Sequence, residues 1–186
     1  MPVRRIVQLG DPLLRVISTP IREQEDTCVL FEDLKATLHD FRRTHGFGRG
    51  ISAVQIGDPR RAIYMEVDGV SYSIVNPKFE WMSPEKFAMW DDCFSFPNLL
   101  VRLERSTHVK LRYADESGGA RLLEASGGLS ELLQHEVDHL NGILAVDRAI
   151  DRNSLATREE YVRRFAGESL KATGDSPAPG NLPPGE

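Results

Sequence analysis

The stretch Gln134–Leu140 constrains the fold of this chain more than any other, because it carries the pattern H-E-x-x-H inside an apolar, helix-like run. Two histidines four residues apart, His135 and His139, project from one side of a helix about 6 Å apart along its axis. At that spacing both rings can reach one divalent metal ion, and Glu136 lies beside water that the ion activates. The pattern also occurs by chance, so the rest of the chain has to support it.

Glu136 occupies a costly position on this helix. On a helical wheel at about 100° per residue it falls within the apolar arc of Leu129, Leu132 and Leu140. A carboxylate there is expensive to desolvate unless a partner compensates. Either Glu136 is a general base that moves a proton from water to a leaving nitrogen, or it is a buried glutamate paired with a core arginine.

Size and composition indicate one globular domain. The chain has 186 residues, of which 40% are hydrophobic and 27% charged, a composition that supports a substantial core. We expect a single domain over residues 1–170 and a disordered tail over 171–186, which holds four prolines and three glycines. The net charge of −5, without a dense basic block, argues against nucleic-acid binding. No run is apolar enough to cross a membrane and no leader is recognisable, so we expect a cytoplasmic protein.

Periodicity predicts an α+β fold, with short antiparallel strands packed around the central metal-binding helix. Residues 1–20 are predicted to form an extended arm. Helices are expected over residues 29–46, 128–141 and 154–170. A capping-box pattern, Thr157-x-x-Glu160, offers a later start for the last helix. Strands are predicted at residues 62–67, 70–75, 86–90, 99–103, 109–113 and 121–125, the first two joined by the turn Asp68-Gly69.

Two histidines leave a metal short of protein ligands, and the sequence offers two candidates for the third. Cys93 follows the acidic residues 91–92 and precedes a Phe-Ser-Phe-Pro run, an unusual place for a space-filling thiol. A Cys/His/His set with one open position suits a catalytic metal. Alternatively Glu159 or Glu160, about twenty residues after His139, has the spacing of the third ligand in thermolysin-like proteases.

Three separated segments resemble the motifs of peptide deformylases, and they follow in the same order. GRGISAVQ at Gly48–Gln55 is similar to G-x-G-[LI]-[AS]-A-x-Q, DDCFS at Asp91–Ser95 to E-G-C-L-S, and QHEVDHLNG at Gln134–Gly142 to Q-H-E-x-D-H-L-x-G. The resemblance covers about residues 4–150. It implies the deformylase fold and a metal-dependent hydrolase that removes a formyl group from an N-formyl amine, by default from N-formyl-methionyl peptides.

The resemblance also implies a metal site. Cys93, His135 and His139 would bind one divalent ion, with Fe²⁺ expected and Zn²⁺ or Ni²⁺ as alternatives, because a thiolate with two imidazoles suits all three. Glu136 would act first as general base and then as general acid. The implied partners are an N-formylated peptide or small molecule, with the ribosome as a further candidate.

Other motif residues receive substrate-handling roles from the same resemblance. The Gln55 side-chain amide and the Phe94 backbone N–H would stabilise the oxyanion formed when water attacks the formyl carbon. Gly50 would let its loop approach an extended substrate closely enough to hydrogen-bond with it. Arg105 would contact the substrate backbone.

Four positions depart from the family pattern. Asp91 and Asp92 replace Glu-Gly in the second motif, and Asp tolerates a left-handed backbone less well than Gly. Arg49 and Glu131 stand where members line the pocket for the substrate's first side chain with apolar residues, and Glu131 shares a helix face with both histidines. We predict that Arg49 and Glu131 form a salt bridge in this pocket, and that Asp91 adds to its charge.

These departures keep alternatives to the default substrate open. One is a deformylase of altered specificity, acting on a polar or charged N-formyl compound in a biosynthetic pathway. Another is a deformylase-like protein that binds metal but has little activity because of the change at residues 91–92. The last is a generic metalloprotease with Glu159 or Glu160 as ligand, which leaves Cys93 and Gln55 without a role.

Overall fold

The computed structural model describes residues 3–165, and they form the predicted α+β fold. The helices in this range are α1 (Cys28–His45), α2 (Gly127–Leu140) and α3 (Arg158–Phe165), with 3-10 turns at Pro12–Arg15, Ala53–Ile56 and Ala145–Arg148. No helix among the described residues is long and apolar enough to cross a membrane. The predicted tail, residues 171–186, and the end of the predicted last helix lie outside the described range.

The strands form two antiparallel sheets. A five-stranded sheet has the order β1-β2-β3-β6-β7, and a three-stranded sheet has the order β4-β5-β8. Their bounds are β1 Gly50–Ser52, β2 Ala62–Val67, β3 Val70–Met82, β4 Lys86–Asp92, β5 Leu99–Ser106, β6 His108–Ala114, β7 Ala120–Ser126 and β8 Leu155–Thr157.

Most predicted elements are confirmed, but strands β1 and β8 were not predicted, and β8 takes up the start of the helix that was expected from residue 154. The turn at Asp68-Gly69 joins β2 and β3 as predicted, and α3 begins at Arg158, where the Glu160 N–H donates to Thr157 Oγ1 at 3.2 Å. The predicted extended arm instead contains the 3-10 turn after Asp11. Strand β3 runs seven residues beyond its predicted end at Val75, across an irregularity in its pairing with β6.

Helix α2 lies at the centre of the fold, as predicted. It contacts strands of both sheets, and every residue from 130 to 140 is buried. Its apolar side chains, including Leu133, Val137 and Leu140, pack against Ile63 and Met65 of β2. Because apolar packing takes up one side of the helix, its buried polar residues are held on the side that faces β1 and the end of β4.

Candidate metal centre

Three buried side chains meet where α2 passes the end of β4. His135 Nε2 and His139 Nε2 lie 3.2 Å apart, and Cys93 Sγ lies 3.2 Å from His139 Nε2. Cys93 directly follows β4, so the end of that strand fixes the sulfur against the helix. The candidate ligand atoms all lie within 4.8 Å of one another. The structure therefore brings together the three residues that the sequence proposes as ligands.

The chemistry of these donors fits a divalent transition metal. Burial lowers the pKa of His139 well below its ordinary value, which keeps the ring neutral as a ligand must be. Burial alone would also lower the pKa of His135, yet Asp91 and Cys93 raise it well above its ordinary value. Burial raises the pKa of the Cys93 thiol, so a thiolate here requires a compensating cation. The pocket thus favours positive charge at the point where the three donors converge.

Asp91 orients the His135 ring by binding Nδ1, the ring nitrogen that is not directed at His139. Its Oδ2 lies 2.9 Å from His135 Nδ1 and accepts a hydrogen bond from Arg105 at 3.0 Å. Burial would raise the pKa of Asp91, but His135 and Arg105 together lower it strongly, so the group is a carboxylate. Because a carboxylate only accepts, the His135 Nδ1–H points to Asp91 and Nε2 is left for a metal.

Arg105 lies behind the histidines and not on the surface of the cleft. Its side chain is 2% exposed and is held between Asp91 and Asp138, whose Oδ2 accepts a hydrogen bond from it at 2.5 Å. Asp138 in turn accepts hydrogen bonds from Arg148. This position differs from the substrate contact predicted for Arg105, because its guanidinium is engaged in a buried chain of ion pairs that ends on His135. Asp91 belongs to the same chain of ion pairs but also lines the cleft.

Glu136 is buried next to the cluster and has one clear hydrogen-bond donor. Ser52 Oγ donates to Glu136 Oε2 at 2.5 Å. A Cβ on residue 50 would lie 2.8 Å from Glu136 Oε1, so a side chain at this position would displace the Glu136 carboxyl group. Burial raises the pKa of Glu136. A raised pKa makes the carboxylate a stronger base, which suits a group that accepts a proton and returns it. Ser52 received no role from the sequence, although it belongs to the first motif.

Gln55 contacts Cys93, and Phe94 follows Cys93 in the chain. Gln55 Oε1 accepts a hydrogen bond from the Ser52 N–H at 2.9 Å, which turns Nε2 toward Cys93 Sγ, 3.6 Å away. The Phe94 ring stacks on Phe41 with centroids 3.8 Å apart. Both elements are therefore fixed in position, and the Gln55 amide is directed at the cluster.

These groups line one narrow cleft. Its volume is about 60 Å³, well short of the roughly 300–1,000 Å³ of most small-molecule pockets. The residues lining it are Phe47, Gly48, Arg49, Gly50, Gln55, Asp91, Asp92, Phe94, Glu131, Leu132, His135 and Glu136.

The predicted salt bridge between Arg49 and Glu131 is confirmed. Arg49 Nη2 binds Glu131 Oε1, and Arg49 Nη1 donates to the Gly128 carbonyl at 3.0 Å. The Arg49 side chain is 35% exposed while that of Glu131 is 4% exposed. The guanidinium therefore covers the carboxylate and narrows the cleft in front of the metal cluster.

The alternative third ligand is not near the cluster. Glu160 lies on α3 and forms an exposed ion pair with Arg163. Among residues 3–165, the group able to hold a metal consists of Cys93, His135 and His139 and includes neither Glu159 nor Glu160. The metalloprotease interpretation thus lacks its ligand.

Comparison with known proteins identifies the family. A sequence model described as polypeptide deformylase matches residues 3–154. The chain belongs to this family. A peptide deformylase of Bartonella tribocorum is 34% identical over 174 residues, covering 89% of this chain and 92% of that protein. Another, from Mesorhizobium japonicum, is 31% identical over 189 residues, covering 98% and 99%.

Solved deformylase structures share the fold. The crystal structure of the Thermotoga maritima peptide deformylase superposes with a TM-score of 0.76 at 30% identity, covering 81% of this chain and all of that one. The Synechococcus elongatus peptide deformylase, solved in complex with actinonin, gives a TM-score of 0.75 at 29% identity and covers 82% of each chain. Deformylases are hydrolases that act on N-formylated peptides, and this chain is a metal-dependent amidohydrolase of that type.

The change from Gly to Asp in the second deformylase motif is accommodated without strain. Among the described residues, the non-glycine residues with positive φ are Gln24, Asp68 and Asn76, so Asp92 has an ordinary extended backbone. Its carboxylate accepts a hydrogen bond from Arg158 at 2.7 Å. Arg158 also lies 4.2 Å over the Phe47 ring at the edge of the cleft. The backbone beside Cys93 therefore gives no reason to expect a loss of activity.

Proposed function

We propose that Cys93, His135 and His139 hold one divalent metal ion, and that the chain hydrolyses the formyl amide of N-formylated peptides at this ion. The observation that carries the proposal is a buried Cys/His/His cluster that meets the cleft at His135, beside the buried carboxyl group of Glu136. The proposed default substrate is an N-formyl-methionyl peptide, and the products are formate and the free amine.

We propose Fe²⁺ as the native ion, with Zn²⁺ or Ni²⁺ able to replace it. A thiolate and two imidazoles bind all three ions, so the support for iron is the family resemblance and not the donor set. When bound, such an ion acidifies water and polarises the formyl oxygen. The Asp91 contact to His135 supports the site by fixing the ring orientation.

Glu136 is proposed to carry the proton in both halves of the reaction. Its carboxylate takes a proton from the attacking water as the water oxygen bonds to the formyl carbon. It then returns that proton to the amine nitrogen as the C–N bond breaks. The Ser52 hydroxyl holds one carboxylate oxygen and leaves the other for this exchange. The raised pKa of the buried carboxyl group supports proton return near neutral pH.

Gln55 and the Phe94 N–H are proposed to stabilise the negative charge that develops on the formyl oxygen. The Gln55 Nε2 group already points toward Cys93, because its carbonyl oxygen is held by the Ser52 N–H. A donor fixed in advance stabilises an oxyanion more than a mobile one, since no reorganisation is needed during the reaction. Gly50 is proposed to let the substrate backbone pass close to this donor.

Replacement of Glu136 tests whether this residue acts in proton transfer and not in metal binding. Glu136→Ala should keep its bound metal, because the carboxylate is not a proposed ligand, while formate release falls at least about a hundredfold. Metal content and formate are measured on the same preparation. Glu160→Ala, which removes an exposed glutamate from α3, is the matched control and should keep both metal and activity. Near-parental turnover by Glu136→Ala would remove this residue from the mechanism.

We also propose a cytoplasmic setting in which the substrate is the N-terminus of a newly made protein at the ribosome. The support is chemical, because a formylated N-terminus is present on a protein when its synthesis begins. Co-sedimentation of the protein with ribosomes at physiological salt should detect the association. Recovery in the supernatant alone would contradict the ribosomal part of the proposal.

A further inference from the structure

The Arg49–Glu131 pair occupies the part of the cleft that a substrate's first side chain would enter. Glu131 lies one helical turn before His135 on α2, about 6 Å along the axis. Arg49 precedes Gly50, whose backbone packs against Glu136. In a substrate, the first side chain branches from the carbon that is bonded to the formyl nitrogen, and a long side chain extends over a similar distance of about 6 Å. With the formyl group at the metal cluster, the end of that side chain meets the ion pair.

The two charges of this pair are not equally available to a ligand. The Arg49 side chain is 35% exposed, whereas Glu131 is 4% exposed and lies beneath it. A ligand that enters from solvent therefore meets a guanidinium first. A cationic ligand would have to displace Arg49 before it could reach the carboxylate.

Arg49 also retains unused hydrogen-bonding capacity. Its two recorded hydrogen bonds, to Glu131 and to the Gly128 carbonyl, employ two of the five N–H donors of a guanidinium. Arginine binds carboxylates through paired N–H groups, so a second carboxylate can bind while the first stays in place.

The other two acidic side chains that line the cleft with cationic partners are aspartates. Asp91 is paired with Arg105, and Asp92 is paired with Arg158. Glu136 also lines the cleft, and its carboxyl group is hydrogen-bonded to Ser52. An incoming anion therefore meets two aspartates whose charges are balanced, and Arg49 is the cation that lines the cleft.

We propose that this cleft selects N-formyl substrates whose first side chain ends in a carboxylate, as in aspartate or glutamate, and that Arg49 binds that carboxylate. The inference rests on the proposed hydrolysis of N-formylated peptides, and it replaces the default N-formyl-methionyl substrate with peptides that begin with an acidic residue. A methionine side chain would desolvate the ion pair without giving it a new partner, which carries a penalty. An acidic side chain also displaces water from Arg49, but its carboxylate forms hydrogen bonds to the guanidinium that compensate for the lost water.

A panel of amidated peptides tests the selectivity of the metal-loaded, full-length protein. The peptides are formyl-X-Ala-Ser-amide with glutamate, glutamine, methionine or lysine at X, and kcat/KM is measured from formate release. Glutamine has nearly the shape of glutamate without its charge, so this comparison isolates the carboxylate. We expect glutamate to exceed both glutamine and methionine by about tenfold or more, the range of a hydrogen bond to a charged group. A preference for methionine or lysine, or rates for glutamate and glutamine within about threefold, would overturn the proposal.

Exchange of the pair for apolar residues should reverse the selectivity. In Arg49→Ile with Glu131→Ile, the rate with methionine should rise and the rate with glutamate should fall. The double replacement avoids leaving a buried glutamate without its partner. Lys110→Ile with Glu124→Ile removes an exposed ion pair between β6 and β7 and should leave the selectivity unchanged. Unaltered selectivity in the Arg49 and Glu131 variant would contradict the proposal.

Binding of the deformylated products separates this inference from the proposed function. The dissociation constants of Glu-Ala-Ser-amide and Met-Ala-Ser-amide are measured on the metal-loaded protein by calorimetry. Tighter binding of the glutamate peptide supports the selectivity even if no substrate releases formate, a result that would refute the catalytic proposal alone. Tighter binding of the methionine peptide refutes the selectivity and leaves the catalytic proposal standing.

Discussion

Asp91 is the residue that couples the metal cluster to the buried ion pairs behind it. It contacts His135 Nδ1 and Arg105 Nη2 at the same time. Asp91→Asn keeps the shape of the side chain but removes the charge that balances Arg105. We expect metal affinity to fall about 10- to 100-fold, the usual effect of losing a partner of a ligating histidine, and a chelator competition assay measures it.

Asp92→Asn provides the matched control for that prediction. It changes the same chemical group one residue along β4, but its partner is Arg158 and not a proposed ligand. Its metal affinity should equal the parent's. Equal losses in the two variants would show that Asp91 acts through general electrostatics and not through His135.

Glu66 gives a prediction about stability and pH. Burial alone would raise its pKa, but hydrogen bonds from Tyr64, His39 and Arg42 lower it from 4.5 to about 2. A depressed pKa in the folded state stabilises the protein above the unfolded value, and this contribution is lost as pH falls through the folded value. Glu66→Gln should therefore lower the free energy of unfolding at pH 7, and the deficit should shrink between about pH 4.5 and pH 2.

Urea unfolding of the parent and Glu66→Gln across this pH range measures the effect. Glu85→Gln removes one exposed carboxylate of the same type and serves as the control. A deficit for Glu66→Gln that stays constant with pH would show that shape, and not the ionised carboxylate, accounts for the loss.

At the residue scale, spacing along the chain predicted that the two histidines meet, and the family resemblance selected Cys93 as the third ligand over Glu159 or Glu160. His135 and His139 share a helix face wherever that helix lies, and Cys93 and Gln55 belong to motifs of fixed pattern. The position of Arg105 was not predictable in this way. Its partners come from β4 and α2. The pairing of β4 with β5, which brings Arg105 next to these partners, cannot be predicted from the sequence of either strand alone.

At the scale of elements, the end of α2 gives a prediction about helix termination. Gly142 follows the helix with φ 71°, and a Cβ there would lie 2.5 Å from the Arg15 carbonyl oxygen. Gly57 also has a positive φ, 84°, but a Cβ would meet nothing within 4 Å. Either alanine replacement incurs the left-handed backbone cost of about 1 kcal/mol or more, and Gly142→Ala adds a backbone clash.

Chemical unfolding of Gly142→Ala and Gly57→Ala should therefore separate the cost of the left-handed backbone from the cost of the clash with Arg15. We expect the free energy of unfolding to fall by about 1–3 kcal/mol more for Gly142→Ala, the usual range for overpacking. Equal losses would mean that the Arg15 segment moves away without cost. The segment from Arg15 to Ser18 would then be docked on α2 less firmly than the 2.9 Å hydrogen bond from the Ser18 N–H to the Leu140 carbonyl indicates.

Element prediction succeeded where apolar and polar residues alternate regularly and failed where pairing with a distant segment sustains a strand. Strands β5, β6 and β7 extend only a few residues beyond their predicted bounds. Strand β3 continues past its predicted end at Val75 because residues 78–82 pair with β6. This pairing is a long-range contact that local sequence does not contain.

At the scale of the whole molecule, two sheets and a central helix place one catalytic cluster where β1, β4 and α2 meet. The sequence predicted the helix and the class of fold, but not the division of the strands into sheets, which depends on non-local pairing. The family match over residues 3–154 covers all the motif residues. The predicted boundary between domain and tail at residue 170 stays a prediction.

Formate release measured against bound metal tests the central claim most directly. Metal-free protein is loaded stepwise with Fe²⁺ under anaerobic conditions and assayed with formyl-Met-Ala-Ser and formyl-Glu-Ala-Ser. A single Cys93/His135/His139 site predicts a rate that rises in proportion to metal and reaches its limit at one ion per chain. Formate release that does not depend on metal, or none from either peptide at full occupancy, would contradict the account.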